Sequence, residues 1–143
     1  MGLTGIGWAR PEEIDRLCAV DPIARESEDR RNYLAAAVAR GSAYVALLDD
    51  RIAGYVIFDH SFFERGFVSL LMVEPGSRRR GVATALMRHA ERLCSSERIF
   101  TSTNASNRPM QLLLAKLEYR RSGEVDDLDP GDPELFYSRS LVR

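Results

Sequence analysis

One segment constrains the fold of this 143-residue chain more than any other. Residues 67–73, FVSLLMV, are almost continuously apolar, which predicts a central strand covered on both faces. The strand leads through a proline turn into RRRG at residues 78–81. After it, apolar positions recur at helical spacing up to residue 94. A strand that leads into an amphipathic helix predicts an α/β domain with a parallel crossover.

The flanking sequence predicts the remaining elements. Helices are expected at residues 11–20, 27–40 and 109–117, an antiparallel hairpin at 43–48 and 52–59, further strands at 98–103 and 136–141, and an acidic hairpin loop at 124–134. Ser27 is the expected N-cap of the second helix and Gly41 its stop signal. The prediction is one mixed α/β (α+β) domain over residues 1–143, with a twisted, partly antiparallel sheet flanked by about four helices.

Composition excludes several classes of protein. The net charge of −1 argues against a nucleic-acid binder, which normally needs a net basic face. No apolar stretch approaches the roughly 20 residues that span a bilayer, so no membrane partner is expected. The first residues resemble neither a secretory signal nor a transit peptide, and a cytoplasmic location is the expectation. Cys18 and Cys94 lack metal-ligand spacing, so neither a disulfide nor a metal site is predicted.

The turn before the third helix has the layout of an anion site. N–H groups in the first turn of a helix lack partners within the helix, and the helix dipole favours negative charge there. Gly81 and Ala83 would let a ligand approach the backbone, and Arg78–Arg80 add fork-shaped donors that suit phosphate oxygens. The alternative interpretation is a solvated basic turn. A dinucleotide-binding Gly-x-Gly-x-x-Gly and a P-loop are both absent, which disfavours NAD and ATP as ligands.

At this point the chain resembles the GCN5-related N-acetyltransferase (GNAT) superfamily. The segment LMVEPGSRRRGVATALM resembles motif A of that family, with matches at Leu71, Val73, Pro75, Arg78, Gly81 and Ala83. Downstream, NRPMQLLLAKLEY resembles motif B, with matches at Asn107, Leu113 and Tyr119. The resemblance implies a GNAT-like sheet of about six to seven strands, with acetyl-CoA as co-substrate and no metal.

The resemblance also implies the residues that hold the cofactor. Backbone groups of Leu71, Met72 and Val73 would hold the acetyl-pantetheine arm. The pyrophosphate would lie on the turn formed by Arg78, Arg79, Arg80, Gly81, Val82, Ala83 and Thr84. Motif B adds Asn107, for which a helix cap before Pro109 is a compatible reading. The strand at 67–73 and the strand that begins near Arg98 would diverge to admit the pantetheine.

Catalytic residues are harder to assign, because the chain departs from the family pattern. The position of the family's acidic tyrosine is Leu114, and no carboxylate matches the family's usual base. The candidates are Ser69 and Ser102 for a water relay, and Tyr119 and Tyr137 for the acid. For either serine, local hydrogen bonding within a strand is the competing interpretation.

The resemblance therefore implies an N-acetyltransferase that moves the acetyl group of acetyl-CoA to a primary amine of a small molecule or peptide in a ternary complex. The first alternative is a catalytically weak or inactive acyl-CoA-binding module. The second alternative is a nucleotide-binding α/β domain. The resemblance also suggests a homodimer. The acidic loop would either attract a cationic amine or be a solvated turn.

Overall fold

The structure, a computed structural model, describes residues 2–142. Its elements in chain order are β1 (Leu3–Trp8), α1 (Ile14–Val20), α2 (Glu28–Ala39), β2 (Ala43–Leu48), β3 (Arg51–Phe62), β4 (Arg65–Val73), α3 (Val82–Leu93), β5 (Arg98–Asn104), α4 (Arg108–Lys116), β6 (Arg120–Val125) and β7 (Glu134–Ser140). Short 3₁₀ turns at Pro11–Glu13 and Pro75–Ser77 precede α1 and α3. Within residues 2–142 this gives seven strands and four helices, which confirms the predicted fold class.

The strands form one mixed sheet in the order β1-β2-β3-β4-β5-β7-β6. β2 pairs antiparallel with β1 and β3, and β7 pairs antiparallel with β5 and β6. β4 and β5 are parallel neighbours joined through α3. The predicted hairpin and the predicted parallel crossover are both confirmed.

Backbone contacts divide the chain into two compact units. The first unit comprises Met1–Phe58 and Leu70–Arg92, and the second comprises Asp59–Ser69 and Leu93–Arg143. The core of the first unit collects apolar side chains from α1, α2, β2 and β3, among them Leu17, Leu34, Val45 and Ile57. In the second unit, the fully buried side chains include Ile99 on β5 and Leu114 on α4.

Local capping chemistry fixes two helix boundaries where the sequence predicted them. The Ser27 hydroxyl accepts the N–H of Arg30 at 3.2 Å, which caps α2. Gly41, just past the end of α2, has a φ of +76°, a conformation that costs glycine little because it has no Cβ. The predicted cap and the predicted stop signal are both confirmed.

A buried polar cluster holds the segment between α1 and α2 in the first unit. Asp21 is 0% exposed, and its carboxylate accepts the Tyr55 hydroxyl at 2.7 Å and the Arg30 guanidinium at 2.6 Å. The other carboxylate oxygen accepts the N–H of Ile23 at 2.9 Å. Burial, and then the hydrogen bond to Asp21, raise the pKa of Tyr55 well above its usual value. The hydroxyl is therefore a permanent donor to Asp21.

Strands β1 and β6 were not among the elements predicted from the residue pattern. They are the two edge strands of the sheet, and every residue of β6 is exposed. An exposed edge strand has no buried face and therefore no alternation of apolar and polar residues to reveal it.

The expectation that β4 is covered on both faces is wrong. Only Gly66 and Val68 are buried on this strand, Ser69 is exposed, and residues 70–73 are half-buried. An apolar run indicates a surface at which contact with water is unfavourable. It does not indicate whether other parts of the protein or a bound ligand cover that surface. The second half of β4 thus presents partly open apolar surface.

No helix in the described part of the chain is long and apolar enough to cross a membrane. Cys18 and Cys94 are both buried, and both are free thiols. Among residues 2–142, no group of three or more metal-ligating side chains could hold a metal ion.

Candidate functional site

The turn between β4 and α3 is held in an unusual backbone conformation. Arg79 has a φ of +66° and Gly81 a φ of +77°. A φ near +60° to +80° disfavours a side chain at either position, and glycine relieves that strain at the second. Arg78, Arg79 and Arg80 are all exposed to solvent. The turn therefore carries three exposed arginines, and its shape depends on Gly81.

Free amides follow this turn at the start of α3. The first hydrogen bond into the helix runs from the Ala85 N–H to the Gly81 carbonyl at 2.9 Å. The N–H groups of Val82, Ala83 and Thr84 consequently have no acceptor within α3. No acidic residue occupies the first turn of this 12-residue helix. The helix dipole and the free amides together make a site suited to an anion.

An ion pair supports the base of the turn. Arg51 Nη1 donates to both carboxylate oxygens of Glu74, at 2.8 and 3.1 Å, and Ser77 Oγ donates to the same carboxylate at 3.1 Å. The hydrogen bond from Arg51 lowers the pKa of Glu74 below its usual value, against a smaller opposing effect of burial. Sequence reasoning missed this pair, because 23 residues separate its members.

Gly54 on β3 is a second residue that the sequence did not reveal. A Cβ at this position would lie 2.7 Å from the carbonyl oxygen of Met72 and 3.0 Å from the Val82 side chain. Only glycine allows β3 to approach the end of β4 and the start of α3 this closely. The signal in the sequence was a glycine inside an otherwise apolar strand.

The first unit also contains an open cleft with a volume of about 470 Å³. Its walls come from α1, from the β2–β3 turn and from the residue that follows β4: Arg16, Ala19, Val20, Asp50, Arg51, Ile52 and Glu74. Two arginines and two carboxylates line it, and Arg51 and Glu74 neutralise each other. The cleft therefore has no strong preference for ligands of one charge.

The two candidate serines lie in the second unit and differ in exposure. Ser69 is exposed on β4, whereas Ser102 is half-buried on β5. β4 and β5 pair at Phe67–Phe100 and at Val68–Thr101, and the Thr101 hydroxyl donates to the Val68 carbonyl at 2.8 Å. The divergence of the two strands that the resemblance implies stays a prediction.

The two candidate tyrosines are both buried. Tyr119 is 5% exposed and Tyr137 is 7% exposed. Tyr137 pairs across the ladder with Thr101, whereas Ser102 pairs with Phe136. Because residues that face each other in a ladder point to the same side, Tyr137 and Ser102 lie on opposite faces of the sheet. The structure does not bring these two candidates together.

The motif B residues have clear structural roles. Leu114 is 0% exposed, so the position of the family's tyrosine is filled here by a core residue. Asn107 is exposed, and its side-chain oxygen accepts the Met110 N–H at 3.2 Å as the N-cap of α4. The cap interpretation is confirmed, and the cofactor role of Asn107 stays a prediction.

Part of the acidic loop is tied to the second unit. Asp132 accepts the backbone N–H of Ser106 at 3.0 Å and its hydroxyl at 2.6 Å. Asp129 accepts the side-chain amide of Asn104 at 2.9 Å. These two carboxylates are ordered by structural hydrogen bonds, which leaves fewer of them to attract a cationic ligand.

His89 on α3 packs against an aromatic ring. Its ring is 5.1 Å from that of Tyr44 in an edge-to-face arrangement. Burial, and then the positive charge of Arg92, lower the pKa of His89 below 6.5.

Comparison with known proteins agrees with this geometry. A model of the acetyltransferase (GNAT) family matches residues 8–119. The crystal structure of a GNAT-family acetyltransferase from Bacillus cereus is 32% identical, with a TM-score of 0.88, over 97% of this chain and 98% of that one. Ard1 from Thermoplasma volcanium has a TM-score of 0.83 at 14% identity, over 97% of this chain and 98% of that one.

A further solved structure, from Bacillus anthracis, was determined in complex with acetyl coenzyme A. It has a TM-score of 0.64 at 16% identity, over 69% of this chain and 61% of that one. No curated protein matches the chain. The matched family model covers both motif segments and most of the chain, and the first structural relative matches nearly all of it. The chain therefore belongs to the GNAT family of acetyltransferases.

Proposed function

We propose that residues 1–143 form one N-acetyltransferase domain, which transfers the acetyl group of acetyl-CoA to a primary amine of a small molecule or peptide. The observation that carries the proposal is the turn before α3, with its free amides, its left-handed Gly81 and its three arginines. Membership in the GNAT family makes the chain an acyltransferase, and a structural relative binds acetyl coenzyme A.

In this proposal the pyrophosphate of the cofactor lies on the turn. The N–H groups of Val82, Ala83 and Thr84 donate to its oxygens, and Arg78–Arg80 neutralise its charge. The backbone of Leu71–Val73 on β4 binds the pantetheine arm. The half-buried state of residues 70–73 supports this assignment, because a ligand would cover apolar surface that the protein leaves partly open.

The reaction requires a neutral amine. The amine nitrogen attacks the thioester carbon and gives up a proton, and the carbon–sulfur bond breaks with its electron pair on sulfur. The sulfur takes up a proton, and the products are an amide and coenzyme A. A free alkylamine has a pKa near 10, so one proton must leave before attack, whereas a thiolate is a tolerable leaving group at neutral pH. Ser102, which is half-buried on β5, is a better candidate for a water relay than Ser69, which is exposed on β4.

The alternative is an acyl-CoA-binding module with weak turnover or none. It is favoured by Leu114, a fully buried core residue where the family commonly has its tyrosine. Loss of one acid or base lowers the rate about 10²–10⁴-fold but does not abolish transfer when the substrates are well positioned.

Two measurements test the proposal. A thermal-shift comparison should show that acetyl-CoA raises the melting temperature more than ATP or NAD does. A thiol-release assay with polyamines, aminoglycosides, amino acids and peptide N-termini should show release that depends on the acceptor. Tight binding of acetyl-CoA without such release would establish the acyl-CoA-binding module. Preferential stabilisation by ATP or NAD would overturn both the acetyltransferase and the acyl-CoA-binding module.

A cytoplasmic location and a homodimer complete the proposal. Fractionation of cells that express the chain tests the location, and sedimentation equilibrium of the purified chain tests the homodimer. If the protein were a monomer at all concentrations, the homodimer would be refuted, whereas the proposed activity would be unaffected.

A further inference from the structure

One face of the β5–β7 ladder in the second unit carries an unusual series of side chains. The register pairs Ser102 with Phe136 and Asn104 with Glu134, without a bulge. Paired residues share a face, as do residues two apart along a strand. Phe100, Ser102, Asn104, Phe136 and Glu134 therefore lie on the same side of the sheet.

Four phenylalanine rings form a cluster around Phe100 and Phe136, which lie between the Arg98 end and the Glu134 end of this face. Phe62 lies 4.9 Å from Phe67, 5.4 Å from Phe100 and 5.6 Å from Phe136, measured between ring centroids. Phe67 also approaches Phe136 at 6.2 Å. We call this set the phenylalanine cluster. All four rings are half-buried, so the cluster keeps an open apolar edge.

Glu134 carries a carboxylate that lacks a partner on this face. Its side chain makes no hydrogen bond and no ion pair with any other residue of the described range 2–142. Asp129 and Asp132, from the loop just before it, are by contrast tied down by hydrogen bonds. Along β7, Glu134 lies about 7 Å from Phe136, which is two strand residues.

Charge is distributed unevenly along the same face. Arg98 begins β5, two residues before Phe100, and its guanidinium donates to Ser138 at 3.1 Å. Its side chain lies at the end of the face opposite Glu134, because the ladder pairs Arg98 with Ser140. A cationic group is therefore favoured at the Glu134 end and disfavoured at the Arg98 end.

We infer that this face binds the acceptor, and that the acceptor is a primary amine carried on an aromatic or other apolar group. The apolar group packs against the phenylalanine cluster, and the Glu134 carboxylate binds the amine in its ammonium form. The amine then loses this proton to water, and the neutral amine attacks the thioester. The spacing of about 7 Å between Glu134 and Phe136 suits an amine separated from a ring by a short chain. This inference rests on the proposed function, because it names the substrate class of that reaction.

The first experiment compares two amines that differ only in a ring. Thiol release from acetyl-CoA is measured with 2-phenylethylamine and with ethylamine. Burial of a phenyl group predicts a kcat/KM that is roughly 10- to 100-fold higher for 2-phenylethylamine. Equal values for the two amines would overturn the inference.

The second experiment removes the charge. Glu134→Gln should raise the KM for 2-phenylethylamine about tenfold and leave the KM for acetyl-CoA unchanged. Asp126→Asn, which removes the same charge from the neighbouring loop, is the matched control and should change neither value. If the two substitutions had equal effects, the amine would be attracted by acidic groups in general and not by a specific contact with Glu134. That result would overturn the assignment of Glu134.

The third experiment weakens the apolar contact. Phe136→Leu should lower the preference for 2-phenylethylamine over ethylamine at least threefold, with an unchanged melting temperature as the check on folding. If Phe136→Leu unfolds, Phe100→Leu tests the same cluster from β5. A preference that survives in a folded variant would contradict the proposed contact.

Direct binding separates this inference from the proposed function. Saturable binding of 2-phenylethylamine, followed by shifts of protein NMR signals, needs no turnover. If acetyl-CoA binds and hydrophilic amines are acetylated while 2-phenylethylamine does not bind, the inference fails and the proposed function stands. If 2-phenylethylamine binds and acetyl-CoA does not, the proposed function fails.

Discussion

Two carboxylates of the first unit and one carboxylate of the second are used in different ways. In the first unit, Asp21 and Glu74 are each satisfied by an arginine and by a hydroxyl group of the same unit. In the second unit, Glu134 lies on an open sheet face without a partner among the described residues. Carboxylates that the fold has already satisfied maintain structure, and one that it leaves free is available to a ligand.

The same contrast separates the arginines of the first unit. Arg30 and Arg51 pair with carboxylates, whereas Arg78–Arg80 are exposed beside free helix amides. Positive charge beside the positive end of a helix is unfavourable unless an anion is bound. Substitutions in each set should distinguish the groups that stabilise the fold from those that bind a ligand.

The largest effect is expected from the buried cluster. Asp21→Ala leaves the Arg30 charge and the Tyr55 hydroxyl without their acceptor, and should lower the free energy of unfolding by about 3–5 kcal/mol. Urea denaturation measures this loss. Glu134→Gln, the comparable change in the second unit, should leave unfolding unchanged within about 0.5 kcal/mol. Similar losses in the free energy of unfolding for Asp21→Ala and Glu134→Gln would contradict the proposed difference between these two carboxylates.

Leu114→Ala should lower the free energy of unfolding by about 2–4 kcal/mol, because the side chain is fully buried on α4. Turnover measured well below the melting temperature should fall only in proportion to the folded fraction. A large loss of turnover in a stable variant would instead assign Leu114 a direct role in the reaction.

Gly81→Asp should weaken the binding of acetyl-CoA about 100-fold, because it places negative charge and a strained side chain at the turn. Isothermal titration calorimetry gives the affinity. Gly41→Asp is the control, since Gly41 has the same left-handed conformation far along the chain from the turn. Equal affinity in the Gly81 variant and in the native protein would contradict the anion site.

His89 should make stability depend on pH. Its pKa is lowered in the folded protein, so below about pH 6.5 the unfolded chain binds the proton more readily than the folded one. The free energy of unfolding should therefore fall as the pH drops from 7 to 5. His89→Gln should flatten that part of the profile, and an unchanged slope would rule out His89 as its source.

The smallest effect is expected from Arg51→Gln, since an exposed ion pair contributes little to stability. The pKa of Glu74 is lowered by Arg51, so the stabilisation is present at neutral pH and is lost as the pH falls through that pKa. The difference between native and variant protein should shrink from pH 7 to pH 3 in urea denaturation. A difference that grows at low pH would contradict the assigned cause.

The sequence predicted those helices, strands and turns that are determined by residues close to each other in the chain. Periodic apolar residues specified the helices and most of the strands, and Ser27 and Gly41 bounded α2 through their own chemistry. The turn from β4 to α3 could be predicted for the same reason, since its glycine and its arginines are consecutive. The edge strands β1 and β6 escaped prediction because they have no buried face.

Only the tertiary structure decided which distant residues meet. The bond between Asp21 and Tyr55 spans 34 residues, and the pair of Arg51 and Glu74 spans 23. The place of Glu134 on the face of Ser102 follows from the register of β5 and β7, which a shift of one residue would reverse. Local patterns specify elements, because their causes lie within a few residues of each other. Strand pairing and packing specify a site, because they bring together side chains that no local pattern connects.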